Sequence, residues 1–279
     1  MYSKVALKIY SAIKREKIKS RKEFWENYFD LNYWNNYSVD TQNEENYLQY
    51  NSISLTCIFD KDFPKVNENI RQLDKPFLFV YVGDISLLNQ INNNIAIIGV
   101  LNPTEDIVNR EKGIVEILSQ SNQNIVSGLA IGCDSIAHKI CIQNNKKTIA
   151  FLPSTLQNIY PKVNKNLADE IVENGGLVIT EYELEAKNKY ESINRFIERD
   201  RLQVMFVKAV VLIASFRKGE GDSGSRHAIA KAKEYGFVKR FVIYDHKTDC
   251  ENKMYGLNKD LLNDGAIILT HTSVKELIN

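Results

Sequence analysis

From Asn94 onward, six short apolar runs at 95–98, 125–126, 148–152, 177–179, 209–213 and 241–244 alternate with stretches of helical period. Runs this short, rich in β-branched residues and apolar on both faces, satisfy their backbone and bury their side chains as a mostly parallel sheet covered by helices on both sides. The expected fold class is therefore α/β, a doubly wound sheet, with helices near 104–121, 134–145, 164–174, 197–207 and 223–235. In such sheets a ligand crevice lies beyond the carboxyl ends of the strands, where the strand order reverses. The residues that follow the runs, Gly99, Ser127-Gly128, Pro153-Ser154, Thr180-Glu181 and Ala214-Ser215-Phe216, are thus the first place to look for a site.

Residues 1–50 have a different character, lysine-rich at first and then crowded with Phe24, Trp25, Tyr28, Phe29, Tyr33, Trp34 and Tyr37. The aromatic spacing predicts two or three short helices, giving a small helical module (1–50) ahead of the main domain (51–279). Aromatics beside lysines could stack on single-stranded nucleic acid. An aromatic stripe packed as core beneath a solvated lysine face is the favoured reading.

The formal net charge of +1 leaves no global basic field, so any polyanion site must be a local patch. The four cysteines, Cys57, Cys133, Cys141 and Cys250, lack metal-ligand spacing, which predicts reduced thiols, no metal and no cofactor. Charged residues recur every few positions at the N-terminus and no apolar run is long enough to span a bilayer, so the expected location is the cytoplasm, away from membranes.

The densest local pattern is Ser127-Gly128-Leu129-Ala130-Ile131-Gly132-Cys133-Asp134-Ser135-Ile136-Ala137-His138: a strand end, a glycine turn and a helix start. Backbone N–H groups there would face an anion with a helix dipole behind them, and Asp134 would be the N-cap. Asp134 and His138, one turn apart, could mimic a metal or catalytic pair, but no third ligand accompanies them; a cap and a helix-packing histidine are the better reading. No catalytic residue is assigned, and turnover is not expected.

Further motifs follow one another in order: Asp60-Lys61-Asp62-Phe63-Pro64, Tyr160-Pro161 with Asn164, Thr180-Glu181-Tyr182, Arg195-Phe196-Ile197-Glu198-Arg199-Asp200-Arg201, Asp222-Ser223-Gly224-Ser225-Arg226-His227-Ala228 and Gly256-Leu257-Asn258. With the Ser127–His138 turn, this series resembles the DprA/Smf family of DNA-processing proteins from about residue 50 to the C-terminus. The resemblance implies an extended Rossmann domain that forms a homodimer, binds single-stranded DNA in a basic pocket and delivers it to the RecA recombinase in transformation (competence) or recombination. On that reading, Gly99, Ser127, Gly128, Ala130 and Gly132 form one phosphate site, and Ser223, Gly224 and Ser225 a second at another helix start. Arg199 and Arg201 would project beside them as phosphate forks, with Arg195 and Phe196 adding a charge and a stacking face. Glu181 would hold one of the two arginines in place. Arg226, a cation on the first turn of a helix, opposes the dipole and reads as a ligand contact.

The chain departs from the family pattern at several points. The arginine expected shortly after Gly99 is missing from Gly99-Val100-Leu101-Asn102, and the family's Arg-Asn-Arg is Arg199-Asp200-Arg201. Fewer arginines and one more carboxylate predict weaker DNA affinity. A C-terminal winged helix is not expected, nor is a helix-hairpin-helix turn in residues 1–50. A second class therefore stays open: a nucleotide or nucleotide-signal sensor, or an N-glycosidic hydrolase like the LOG-type relatives, with a role in anti-phage defence. The glycine run and glutamate of those hydrolases are not present.

Overall fold

The computed structural model describes residues 2–270 and 272–278. Four helices come first: α1 (Lys4–Lys14), α2 (Arg21–Asn27), α3 (Leu31–Asn36) and α4 (Gln42–Tyr50). Side chains placed just before three of them start the turn, because Ser3, Ser20 and Asp30 accept backbone N–H groups that lack a partner within the helix. The sheet then runs through β1 (Ser54–Cys57), β2 (Leu78–Gly83), β3 (Asn94–Ile98), β4 (Asn124–Ser127), β5 (Thr148–Phe151), β6 (Leu177–Thr180), β7 (Ala209–Leu212), β8 (Lys239–Val242) and β9 (Ile267–Ile268). The remaining helices are α5 (Glu105–Gln120), α6 (Cys133–Gln143), α7 (Lys165–Glu173), α8 (Lys189–Met205), α9 (Arg226–Tyr235), α10 (Gly256–Asn263) and α11 (Val274–Ile278).

All six expected strands are present within one nine-stranded sheet of order β1-β2-β6-β5-β4-β3-β7-β8-β9. Pairing is parallel from β6 to β9, while β2 runs antiparallel to both β1 and β6. The added strands extend both flanks: β1 and β2 pair antiparallel on one side with no long helix between them, and β9, two residues long, follows α10 on the other. From β3 the chain steps outward through β4, β5 and β6, then returns to the other side of β3 at β7. The strand order reverses at β3, so the crevice must open beyond the ends of β3, β4 and β7.

Helix α8 begins at Lys189, well before the expected 197. Asn188 accepts the Glu191 N–H at 2.9 Å and Glu191 returns a bond from the Lys187 N–H, a reciprocal cap that starts the helix early. The extension matters because it carries Ile193 and Phe196 up to the crevice.

Most of the aromatic residues of the first fifty serve as core or pack against it: Tyr10, Phe24, Trp25 and Trp34 are buried and Tyr28, Tyr33 and Tyr37 partly so, while Phe29 and Tyr50 are exposed. Phe24, Trp34 and Leu48 are fully buried and share one cluster with Leu55, Phe77 and Val80 of the sheet edge. Phe24 stacks on Phe77 with centroids 4.0 Å apart, and Trp34 donates to the Tyr28 carbonyl at 2.8 Å. Lys17 lies 4.2 Å from the Tyr37 ring centre, capping the aromatic layer rather than offering a free cation. Among the described residues, no helix is long and apolar enough to cross a membrane.

Candidate nucleic-acid interface

A cavity of about 620 Å³ lies beyond the strand ends at the reversal point, bounded by the β3 and β4 loops, the start of α9 and one face of α8. Of the expected residues, Gly99, Gly128, Ala130, Phe196, Arg199, Gly224, Ser225 and Arg226 line it. Ser127, Gly132, Arg195, Arg201 and Ser223 do not.

The turn after β4 is tight for reasons visible atom by atom. A β-carbon at Gly128 would stand 1.3 Å from Arg199 Nη1, and one at Gly132, where φ is +77°, would meet the Val100 and Leu101 carbonyls at 2.4 Å. Ser127 is buried and donates to the Ile97 carbonyl at 2.6 Å, tying β4 to β3. Gly132, not Asp134, occupies the N-cap position. Asp134 instead turns back on the loop, and its carboxylate accepts the N–H groups of Gly128 at 3.1 Å and Ala130 at 3.4 Å. With its amide oxygen toward the turn, Gln203 also accepts from Gly128 N–H and Arg199 Nη1, each at 2.8 Å. The first N–H of α6, that of Cys133, goes to the Val100 carbonyl.

The second expected anion site is arranged the same way. Asp222 accepts the Leu101 N–H at 2.7 Å and the Gly224 N–H at 3.4 Å, while Ser225 donates to the Gly99 carbonyl. An intramolecular carboxylate thus answers donors in each turn, where a ligand phosphate was expected. Short loops with glycine or serine can close on a nearby aspartate as readily as on an anion, since both present oxygen acceptors.

The two arginines expected as forks are buried. Arg201 is 1% exposed and lies away from the crevice, where both oxygens of Glu181 accept from its Nη2 at 2.7 Å and the Asp74 and Glu198 carbonyls accept from its Nε and Nη1. Glu181 holds Arg201, as one of the two alternatives had it. Arg199 lies in the crevice floor at 4% exposure, donating to the Phe151 carbonyl and standing 3.3 Å from Asp200. Arg195 faces neighbouring cavities, bonded to the Leu184 carbonyl and Glu191 and stacked over Tyr182. Helical geometry explains Arg201, which lies two residues from Arg199 and so on the opposite side of α8; Arg195 lies one turn before Arg199 on the same side, and its bonds to Leu184 and Glu191 hold it nearer the start of the helix, outside the crevice wall of Ile193, Phe196, Ile197, Arg199, Asp200 and Gln203.

The more accessible cation of the crevice is Arg226, at the start of α9; His227 beside it is held toward the neutral imidazole, because burial and the Arg226 and Lys218 charges lower its pKa. Arg226 Nη1 donates to the Ser223 carbonyl and hydroxyl, at 2.8 and 2.9 Å, which fixes its guanidinium beside the opening. The other wall is apolar and aromatic. Tyr160, 56% exposed, meets Phe196 edge-to-face with centroids 5.5 Å apart, and Leu101, Ile131, Ile193 and Ile197 continue the surface. The motif series had included Tyr160, but no role was assigned to it. Ile193 and Ile197 gave no signal for a site, because an apolar residue on a helix reads as core.

Burial raises the pKa of Asp134, with the Arg199 charge acting the other way. Asp200 is pushed up to about 7, chiefly by burial, with Asp134 adding to the rise and Arg199 and Arg226 opposing it. His138 is a buried packing residue whose Nδ1 lies 2.7 Å from the Thr148 hydroxyl. That hydroxyl donates to the Ile125 carbonyl, so Nδ1 carries the proton; burial, aided by Arg199, pulls the imidazole down to about 3. Among the described residues, no group of three or more His, Cys, Asp or Glu could hold a metal ion.

Comparison with known proteins bears on what this crevice serves. The family model described as DNA recombination-mediator protein A matches residues 54–279. The Smf protein of Borreliella burgdorferi is 32% identical over 141 residues, covering 50% of this chain and 43% of that protein. The DNA processing protein DprA of Bacillus subtilis is 29% identical over 188 residues, covering 66% of this chain and 58% of that protein. The chain spans less than two thirds of the length of these curated relatives. Among solved structures, Streptococcus pneumoniae DprA superposes with a TM-score of 0.70 at 22% identity, covering 97% of this chain and 91% of that one, a likeness of fold. Helicobacter pylori DNA processing protein A, whose single-stranded DNA binding mode has been described, gives a TM-score of 0.65 at 27% identity, covering 81% and 94%.

Proposed function

The chain belongs to the DNA recombination-mediator protein A family, and from that premise we propose that its crevice binds single-stranded DNA in a DNA-processing role in recombination or transformation. The observation that carries this reading is the crevice itself. It sits at the strand-order reversal, with the Tyr160–Phe196 pair on one wall and Arg226 and His227 on the other. Base faces can stack on the aromatic wall while a phosphate meets the guanidinium. Because Arg199 and Arg201 are buried, the binding mode has few phosphate contacts and a shallow salt dependence.

Titrating a fluorescent oligo-dT with the protein at several salt concentrations tests this. Binding at low salt, weakened by Tyr160→Ala and with its log–log salt slope reduced by roughly 0.7 in Arg226→Ala, is expected. No binding at low salt overturns the proposal.

At about 620 Å³ the cavity also has room for a single nucleotide, the second reading. Thermal stabilisation by mononucleotides but not by oligomers would select it. Self-association, hand-over to RecA and a cytoplasmic location are the finer part of the proposal and rest on family membership. Light scattering checks the first, and a pull-down with RecA the second.

A further inference from the structure

We propose that the crevice reads an unpaired base and that Asp200 makes it prefer guanine, an inference that rests on the DNA-binding reading above. Three carboxylates line the cavity. Asp134 and Asp222 are engaged by backbone N–H groups of the two loops. Asp200 is different. Among the described residues no donor hydrogen-bonds to it, and its nearest cation, Arg199 Nε at 3.3 Å, is itself without a hydrogen-bond partner. Its side chain is 13% exposed and forms part of the cavity wall.

A carboxylate accepts hydrogen bonds and repels phosphate, so the ligand group opposite Asp200 must carry N–H donors. The surroundings specify the rest. Ile197 and Phe196 of the same helix and Tyr160 across from them present an apolar wall suited to a flat ring. A flat ring with N–H donors on one edge is a nucleobase. Guanine alone offers two parallel donors, N1–H and the N2 amine, spaced to match both carboxylate oxygens. Thymine offers one N–H between two carbonyls, which a carboxylate repels, and adenine and cytosine each offer an amine beside an acceptor nitrogen. Arg226, which also lines the cavity from the start of α9, then takes the phosphate of the same nucleotide.

The groups that bear on Asp200 come from three helices: Arg199 beside it on α8, Asp134 on α6 and Arg226 on α9. Burial places its titration at about 7. The ionised form is the double acceptor, so the guanine preference strengthens as pH rises through that value.

The test is fluorescence anisotropy with the full chain and three twenty-nucleotide probes: all dT, dT with one central dG, and the same with inosine, which lacks the N2 amine, in place of that dG. The dG probe is expected to bind about tenfold tighter than all-dT, the advantage being largely lost with inosine. Asp200→Asn, checked for an unchanged thermal melt, should bring the ratio of dG-probe to all-dT affinity to about one, whatever its absolute affinity for all-dT. Equal affinity for dG and dT, or a preference that survives Asp200→Asn, overturns the guanine inference alone. Failure of all three probes to bind overturns the DNA-binding reading with it.

Discussion

Arg199 lies in the space that a side chain at residue 128 would fill: a β-carbon on Gly128 would come within 1.3 Å of Arg199 Nη1. The glycine and the arginine are one packing unit, with Gln203 joining them through the amide oxygen. Gly128→Ala should therefore cost about 2–4 kcal/mol by forcing the buried guanidinium from its carbonyl and carboxylate partners. In an Arg199→Ala background the same change should cost much less. A double-mutant cycle by urea unfolding measures the coupling, and additive costs would show that the two residues are independent.

Glu111 on α5 is fully buried, and among the described residues no nitrogen or oxygen hydrogen-bonds to its carboxyl. Burial pushes its carboxyl up from 4.5 to about 8, with the Cys133 thiol opposing the rise and Asp134 adding to it. Between those values the folded state holds a proton that the unfolded state has released, so this group's contribution is full below 4.5 and is lost as pH climbs to about 8. Glu111→Gln should make the decline of melting temperature with pH shallower across that window. An unchanged slope in differential scanning calorimetry would contradict the buried, protonated carboxyl.

The Glu181–Arg201 pair is a buried strut between β6 and α8. Glu181→Gln or Arg201→Ala should destabilise the fold by about 3–5 kcal/mol, because each leaves the other charge buried and uncompensated. Arg201→Ala protein that remains folded at low temperature should bind oligo-dT as the parent does. A selective loss of affinity would place Arg201 at the ligand after all.

Phe24 fixes the first helices to the sheet edge through its stack on Phe77. Phe24→Ala should cost about 3–5 kcal/mol and expose the Trp25 and Trp34 environment. Chemical unfolding followed by tryptophan fluorescence reads both effects together.

Much of the fold was legible because it rests on local regularities. The six central strands are short apolar runs bounded by helices, and periodicity alone locates them. β1, β2 and β9 were not legible: the first two pair antiparallel at an edge, and β9 is two residues long. The early start of α8 was written in Asn188-Lys189-Tyr190-Glu191, a cap pattern that the polar, low-periodicity stretch around it obscures. In the site, Gly128, Phe196 and Arg226 could be placed from motif order. Ile193, Ile197 and Tyr160 could not, because an exposed apolar residue has the same sequence pattern as a buried one.

The sequence by itself determined that a parallel sheet with a glycine turn after its second parallel strand would form, because strand period, helix period and turn chemistry are properties of neighbouring residues. Only the tertiary structure decided what those turns hold. Asp134, Gln203 and Asp222 reach the N–H groups from other parts of the chain or the loop, Arg201 is drawn to Glu181, and Asp200 is left facing the cavity with Arg199 beside it and, among the described residues, no hydrogen-bond donor. Charge and hydrogen-bond partners act through space over a few ångströms. A list of residues can therefore supply candidates for a site, while the packing of α8 across the strand ends selects which of them a ligand meets.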